Sequence, residues 1–374
     1  MPQKNREELK YQIALTMAPS IGPITAGKLL DKIGSARTIF NQTADSLQKI
    51  HGISPHLTKA LRTPGLLSRA EKEIGFLEKH HIEAHYFKDP DYPRLLKECE
   101  DAPILLYSRG TNGLHSSRTL SVVGTRKATS YGRNLCREII KSLAELSPKP
   151  AIVSGLAYGI DVIAHRAALE FGLPTVAVLG HGMDTIYPLS HRETAVKISK
   201  QGALVTDFHS GMGPERNNFL RRNRIIAGLS QGTLVVESAK TGGSLITASM
   251  ALSYHRPVMA VPGRVGDSRS SGCNRLITRE MAAITESAED IIRYLNWDVP
   301  MVAKKISPPE IVTSAKELKL LQILQSNSGN TPDHLSQLTG IPVHIVLATL
   351  LEMELKEWIS VEPGNRYKMR ILLE

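Results

Sequence analysis

Three arginines and an asparagine open the apolar stretch Phe219-Leu-Arg-Arg-Asn-Arg-Ile-Ile-Ala-Gly-Leu-Ser230. A β-rich run, Thr233-Leu-Val-Val-Glu-Ser238, follows it, and Thr241-Gly-Gly-Ser-Leu-Ile-Thr-Ala-Ser249 comes next. The order reads as a helix, a buried strand, and a glycine pair that begins a second helix. Glycines at a strand-to-helix turn expose backbone N–H groups, and the helix dipole adds partial positive charge at the same place. Guanidinium forks lie one element upstream. Residues of these types in this order are suited to holding phosphate groups.

Such groups need a frame. Apolar runs at Thr119-Leu-Ser-Val-Val123, Ala151-Ile-Val153, Thr175-Val-Ala-Val-Leu179, Ala203-Leu-Val205, Thr233-Leu-Val-Val236 and Pro257-Val-Met-Ala-Val261 have the continuous hydrophobicity of strands covered on both faces. Helical patterns such as Tyr131–Leu146 and Ile160–Phe171 separate most of them. The alternation predicts an α/β fold with a Rossmann-like, doubly wound, mainly parallel sheet. Ligands in such sheets bind beyond the carboxyl ends of the strands. Glycine turns recur there, at Gly124-Thr-Arg-Lys127, Gly155-Leu-Ala-Tyr-Gly159, Gly180-His-Gly182, Gly242-Gly-Ser244 and Pro262-Gly263. Any one of them is ordinary for a βα connection. A mononucleotide needs one or two, whereas a row suits a run of phosphates, as in a polynucleotide.

Arg126 follows the first of these strands and is expected to point into the crevice, as a phosphate contact or as a plain surface charge. Phe219 is either core or, beside Arg216, a stacking platform for a base, worth about 1–3 kcal/mol. Arg221 and Arg224 share a helical face, while Arg222 and Asn223 point elsewhere. At least one of these arginines is expected to be structural, paired with a carboxylate such as Glu237. Asp161, Asp184, Asp207 and Glu237 could converge near the strand ends, but their scatter favours hydrogen bonds to loops over a metal site. The thirteen histidines form no ligand-spaced set, and His165, His181 and His191 read as polar or capping residues.

The flanks differ in pattern. Residues 1–75 read as short helices. Two turns there, Pro19-Ser-Ile-Gly-Pro-Ile-Thr-Ala-Gly27 and His51-Gly-Ile-Ser-Pro-His-Leu-Thr-Lys59, look like degraded helix-hairpin-helix hairpins. The sheet domain is assigned to 76–297 and a proline-bearing linker to 298–314. Residues 315–374 show three helices, Glu317–Leu324, Thr331–Leu338 and Pro342–Lys356, and a hairpin from Trp358 to Met369 that turns at Pro363-Gly364-Asn365. That pattern suggests a winged helix.

Composition sets the outer bounds. At 374 residues, two or three domains are expected. The formal net charge of +10 favours an anionic partner. Cys99, Cys136 and Cys273 lie far apart, as in a reducing cytosol, and offer neither a disulfide framework nor a zinc site. The start lacks an apolar signal core, and no run of about 18 apolar residues suggests a membrane span. These features point to a cytoplasmic protein without a membrane partner. Catalytic signatures are mostly missing: there is no P-loop, and Gly155-Leu-Ala-Tyr-Gly159 is not the dinucleotide fingerprint. No cofactor and no enzymatic activity are expected.

Ordered blocks along the chain resemble the DNA-processing protein A family (DprA/Smf). They are Val123-Gly-Thr-Arg126 with Tyr131-Gly132, Ser154-Gly-Leu-Ala-Tyr-Gly-Ile-Asp161 with Ala164-His165, and Tyr187-Pro-Leu-Ser-His191. Further blocks are Arg222-Asn-Arg-Ile-Ile-Ala-Gly-Leu-Ser230, Gly243-Ser-Leu-Ile-Thr-Ala248, Val261-Pro-Gly263 and Gly272-Cys-Asn-Arg-Leu-Ile277. The resemblance implies single-stranded DNA binding, protection of incoming strands in natural transformation, loading of the RecA recombinase, and a homodimer formed through the Rossmann-like domain. It implies that Arg126 contacts the DNA backbone, that Arg216 and Phe219 meet a phosphate and a base, and that Gly242, Gly243 and Ser244 line the same groove; Gly124, Lys127, Gly155, Tyr158, Arg222 and Asn223 complete the expected DNA-binding set. Tyr158 departs from the basic residue of some members and could stack on a base instead. A rival reading is a nucleoside-monophosphate phosphoribohydrolase, which has a similar fold and a glycine-rich loop ending in a catalytic glutamate. Ser249 stands at that position here, and a hydroxyl cannot supply a carboxylate's electrostatics.

Overall fold

The computed structural model describes residues 3–48, 54–297, 304–305, 314–326, 330–356, 358–362, 365–369 and 371–372. They divide into two compact units, Met1–Trp297 and Asp298–Glu374.

Nine strands make the sheet of the first unit. They are β1 (Glu83–Tyr86), β2 (Leu105–Arg109), β3 (Thr119–Val123), β4 (Ala151–Ser154), β5 (Thr175–Val178), β6 (Ala203–Thr206), β7 (Gly232–Val235), β8 (Val258–Ala260) and β9 (Ala283–Ile284). Their spatial order is β1-β2-β6-β5-β4-β3-β7-β8-β9. Neighbours from β6 to β9 run parallel, whereas β1–β2 and β2–β6 are antiparallel.

Alternation along a strand sends successive side chains to opposite faces, and both faces here are apolar. Leu120, Val122 and Ile152 pack with Ile139 and Ile140 of the Ser130–Leu143 helix and Ala164 of the Ile160–Glu170 helix. Val123, Val153 and Val176 join Ile225 and Ile226 of the Arg216–Gly228 helix and Ala248 of the Gly243–Ser253 helix. Ser121 is a polar residue in a central strand, and its hydroxyl is satisfied by the Ile226 carbonyl at 2.7 Å.

Among the described residues six helices precede the sheet, and the first turn expected as a hairpin leads into one of them at Pro23, with Gly22 as its N-cap. In the second turn, His51–Ile53 lie outside the described residues, and Ser54 caps the Pro55–Leu61 helix. The boundary expected at residue 75 falls inside the Leu66–Lys79 helix. Ile74 and Leu77 of that helix share one core with Ile13, Leu30 and Ile39, and also with Tyr86, Leu105 and Tyr107 of β1 and β2.

The chain moves from β3 through β4 and β5 to β6 on one side. It then crosses back by the Arg216–Gly228 helix to β7 on the other side of β3. Loops leaving β3 and β7 therefore diverge, which opens a crevice at their carboxyl ends.

The second unit begins with a two-stranded parallel pair, β10 (Lys304–Lys305) and β13 (Ile371–Leu372). Helices Ala315–Ser326, Pro332–Thr339 and Val343–Leu355 precede the antiparallel hairpin of β11 (Ile359–Glu362) and β12 (Arg366–Met369). Pro363 and Gly364 of the expected turn lie outside the described residues. Leu320, Leu335, Val346, Leu350 and Tyr367 form this unit's own core.

Candidate nucleic-acid interface

Gly159 brings the first two loops of the crevice together. Its φ is +78°, and a Cβ there would stand 2.1 Å from the Thr125 carbonyl oxygen. Only glycine allows this approach. The loop after β3 is fixed at its far side by Glu237. The Glu237 carbonyl accepts from Thr125 N at 2.7 Å, and its buried carboxylate takes Thr129 N at 2.8 Å and the Thr129 hydroxyl. Arg126 and Lys127 are thus carried on a braced loop, and both are exposed.

Phe219 meets Arg126 in the crevice. The Arg126 guanidinium carbon lies 6.0 Å from the Phe219 ring centre, and Tyr187 lies 5.6 Å away, centre to centre. Half-buried Phe219 rests on the Gly180 turn, where a Cβ would come within 2.7 Å of the ring. One side of the ring is therefore supported by backbone. Arg216, at the start of the same helix, is exposed and has no carboxylate within ion-pair distance among the described residues. Tyr158 is 48% exposed, accepts from Ser190 Oγ at 3.3 Å and packs edge-on against His191. Its ring thus lies against Ser190 and His191, a few residues along the chain from Tyr187.

Arg222 takes a different place from the one expected. It is 4% exposed, and its Nη1 donates to the Gly155 carbonyl at 2.7 Å and to the Val178 carbonyl. Asn223 Oδ1 accepts from its Nε at 3.2 Å. Burial lowers the Arg222 pKa to about 10, against the opposing pull of Asp161. Asp161 is buried too and is pushed above the usual carboxylate range by that burial, while Arg222 and the N–H groups of Ala157 and Gly155 work against the shift. Arg222, Asn223 and Gly155 therefore build the floor from below, and the Arg222 cation is not open to a ligand.

The expected structural arginine is present, with a different carboxylate as its partner. Arg224, not a partner of Glu237, is bound to Asp207 in a pair whose side chains are 8% and 7% exposed. The four carboxylates considered as a converging set each have separate partners, since Asp184 accepts from Gly211 N at 3.0 Å. The histidines serve the scaffold. His165 contacts Thr175 Oγ1 at 2.8 Å, His191 Nδ1 donates to the Leu156 carbonyl, and His181 Nε2 accepts from Tyr187 N.

Beyond β7, Gly242 caps the Gly243–Ser253 helix. A Cβ on Gly242 would approach Ser238 Oγ to 2.3 Å, while Gly243 faces open space. Ser244 is buried, and its hydroxyl donates to Ser238 Oγ at 2.9 Å, so it shapes this turn from inside. Gly124 also has a packing role, because a Cβ there would meet Ile160 at 2.5 Å. Sequence reasoning did not assign a role to Tyr187. Its signal was present in the block Tyr187-Pro-Leu-Ser-His191, and its ring is 44% exposed beside Phe219.

The fold and crevice define a Rossmann-like α/β protein with a cationic, aromatic cleft beyond the carboxyl ends of its strands. The chain belongs to the DNA-processing protein A (DprA/Smf) family. Residues 83–296 match the model for DNA recombination-mediator protein A, and residues 304–365 match the DprA winged helix domain. Protein Smf of Escherichia coli (strain K12) is 39% identical over 285 residues, 75% of each chain. The X-ray structure of DNA processing protein A from Streptococcus pneumoniae superposes with a TM-score of 0.62 at 30% identity, covering 78% of this chain and 98% of that one. A structure described as showing the single-stranded DNA binding mode of the Helicobacter pylori protein has a TM-score of 0.52 at 26% identity. It covers 59% of this chain and 99% of that one.

Proposed function

We propose that the crevice binds single-stranded DNA, holding phosphates with Arg126, Lys127 and Arg216 and stacking a base on Phe219. The observation that carries this reading is the Arg126–Phe219–Tyr187 group, in which a cation from the loop after β3 and two accessible rings over the loop after β5 meet beyond the carboxyl ends of the strands. Gly242 and Gly243 extend the groove with backbone N–H groups at a helix start. The similarity to the Helicobacter pylori protein, whose structure concerns its single-stranded DNA binding mode, supports the same ligand. Base–aromatic stacking is sequence-tolerant, so little sequence preference is expected. A gel-shift comparison at two salt concentrations tests the reading. Single strands should win over duplex, and affinity should fall with salt as counterions are released. Equal affinity for duplex, or binding indifferent to salt, overturns it.

The finer reading is a cytoplasmic homodimer that shields incoming strands during transformation and passes them to RecA. Family membership is its main support. Two crevices on one particle would raise avidity through effective concentration. Ser249, where the rival hydrolase needs glutamate, is exposed, and the cavity it lines holds Lys240 and Arg275 but no carboxylate. Strand exchange by the cognate RecA, on single strands covered by a single-strand-binding protein, should be stimulated by the native chain. Arg126→Ala should stimulate less. Absence of stimulation, or equal stimulation by the variant, refutes the loading mechanism.

The C-terminal unit is assigned a protein-contact role. Its second helix after the linker region, Pro332–Thr339, leads into Val343–Leu355, whose exposed side carries Val343, Leu347, Leu351 and Leu355 along with Glu352 and Glu354. Duplex readers place Arg, Lys, Asn or Gln on such a helix. Truncation near Ile306 should leave single-strand affinity nearly unchanged. A loss of more than about tenfold, roughly 1.4 kcal/mol, contradicts the assignment.

A further inference from the structure

A second cleft opens beside the first, on the β8 side of the Arg126 loop. Its volume is about 650 Å³, and its lining includes Thr129, Tyr131, Pro262, Gly263, Arg264 and Asp267. That volume falls within the range of small-molecule sites, about 300–1,000 Å³. One wall is the Tyr131 ring, 50% exposed and pinned by its hydroxyl, which donates to the Pro262 carbonyl at 3.1 Å. The back is preformed. Asn274 clamps Gly263 by accepting from its N–H at 3.0 Å and donating to its carbonyl at 2.9 Å. A Cβ on Gly263 would collide with Ser270 Oγ at 2.0 Å.

The opposite lip is the loop that carries exposed Arg264 and the fully exposed Val265. Asp267 is turned toward its own loop, where Oδ1 accepts from Arg269 N at 2.9 Å and Oδ2 faces Ser270 Oγ at 3.4 Å. Arg269 in turn donates to the Lys127 carbonyl. The lip is therefore tied directly to the loop that bears Arg126 and Lys127, and the two clefts form one continuous edge.

From this continuity we infer that the Tyr131–Arg264 cleft is a further nucleotide subsite for the strand, with the base against the Tyr131 ring and its phosphate at Arg264. The inference rests on the reading of the crevice as a single-strand site. Distance supports it. The strand ends from β5, beneath Phe219, to β8 span four inter-strand spacings, about 19 Å. That is more than one nucleotide step, so a strand lying along this edge from Phe219 toward β8 has further residues to place beyond Phe219. A base-sized cleft with one aromatic wall and one cation stands in its path.

The test is binding of oligothymidylates lengthened one residue at a time to the full chain, comparing the native protein with Arg264→Ala and Tyr131→Leu. Arg264 is exposed, so its removal should leave thermal unfolding unchanged. The native chain should gain about tenfold in affinity once the strand is long enough to reach from Phe219 to Tyr131. Both variants should lose that gain and bind the shortest oligomers as the native chain does. If both variants follow the native curve at every length, the subsite is wrong while the single-strand reading stands. If the native chain binds no oligothymidylate of any length, the single-strand reading fails, and the subsite fails with it.

Discussion

Arg222→Ala should lower the unfolding free energy by about 2–6 kcal/mol, since each buried carbonyl left without its partner costs about 1–3 kcal/mol. The change strips the hydrogen bonds of two carbonyls, on Gly155 and Val178, at the ends of adjacent strands. It also removes the cation that offsets buried Asp161. Arg222→Lys should recover only part of the loss, because an ammonium cannot reproduce a planar fork. Chemical denaturation followed by circular dichroism measures both. A variant that keeps native stability and loses only strand affinity would show that Arg222 serves the ligand and not the floor.

Arg126→Ala should show the opposite profile, with unchanged stability and strand affinity reduced about 10- to 100-fold. A charge-assisted hydrogen bond to phosphate is worth about 1.5–3 kcal/mol, and each 1.4 kcal/mol is tenfold. Arg126 is exposed and forms no ion pair among the described residues, so no buried partner is orphaned. The slope of log affinity against log salt should become shallower by about one, as one phosphate contact disappears. Phe219→Ala should weaken binding with little change in that slope, because stacking releases no counterion. A sharp fall in melting temperature with intact affinity would instead make Phe219 a packing residue. Titration calorimetry at several salt concentrations separates these outcomes.

Legibility in the sequence followed physical depth. The central strands were readable because burial on both faces demands unbroken apolar runs, as in Thr119–Val123 and Ala151–Val153. The edge strand Glu83–Tyr86 was not, since it is only four residues long and buries the polar His85 beside Tyr86. Strand β9, Ala283–Ile284, is too short to leave any period. The arginine-opened helix revealed which residues share a face but not how deep each face lies. Arg222 and Arg224 are chemically alike in sequence, yet one bolts strand ends and the other pairs with Asp207. Depth depends on what β5 and β6 present across the gap, and spacing along one helix does not encode that. Arg126 and Phe219 were legible as candidates because glycine turns mark the strand ends, whereas their meeting depends on the Gly180 turn beneath the ring.

The core that joins the six leading helices to β1 and β2 sets a rule for how this chain can be rearranged over evolutionary time. Tyr86, Leu105 and Tyr107 are covered in part by Ile13, Leu30 and Ile74. A deletion that ended at residue 75 would uncover part of an apolar sheet face, the kind of exposed patch that promotes association. Gain, loss or exchange of the helical segment thus has to rewrite the outward residues of these strands at the same step. The matched family region begins at β1, so the two antiparallel strands stay with the sheet, and their helix-facing residues are the ones that must change when the helices do.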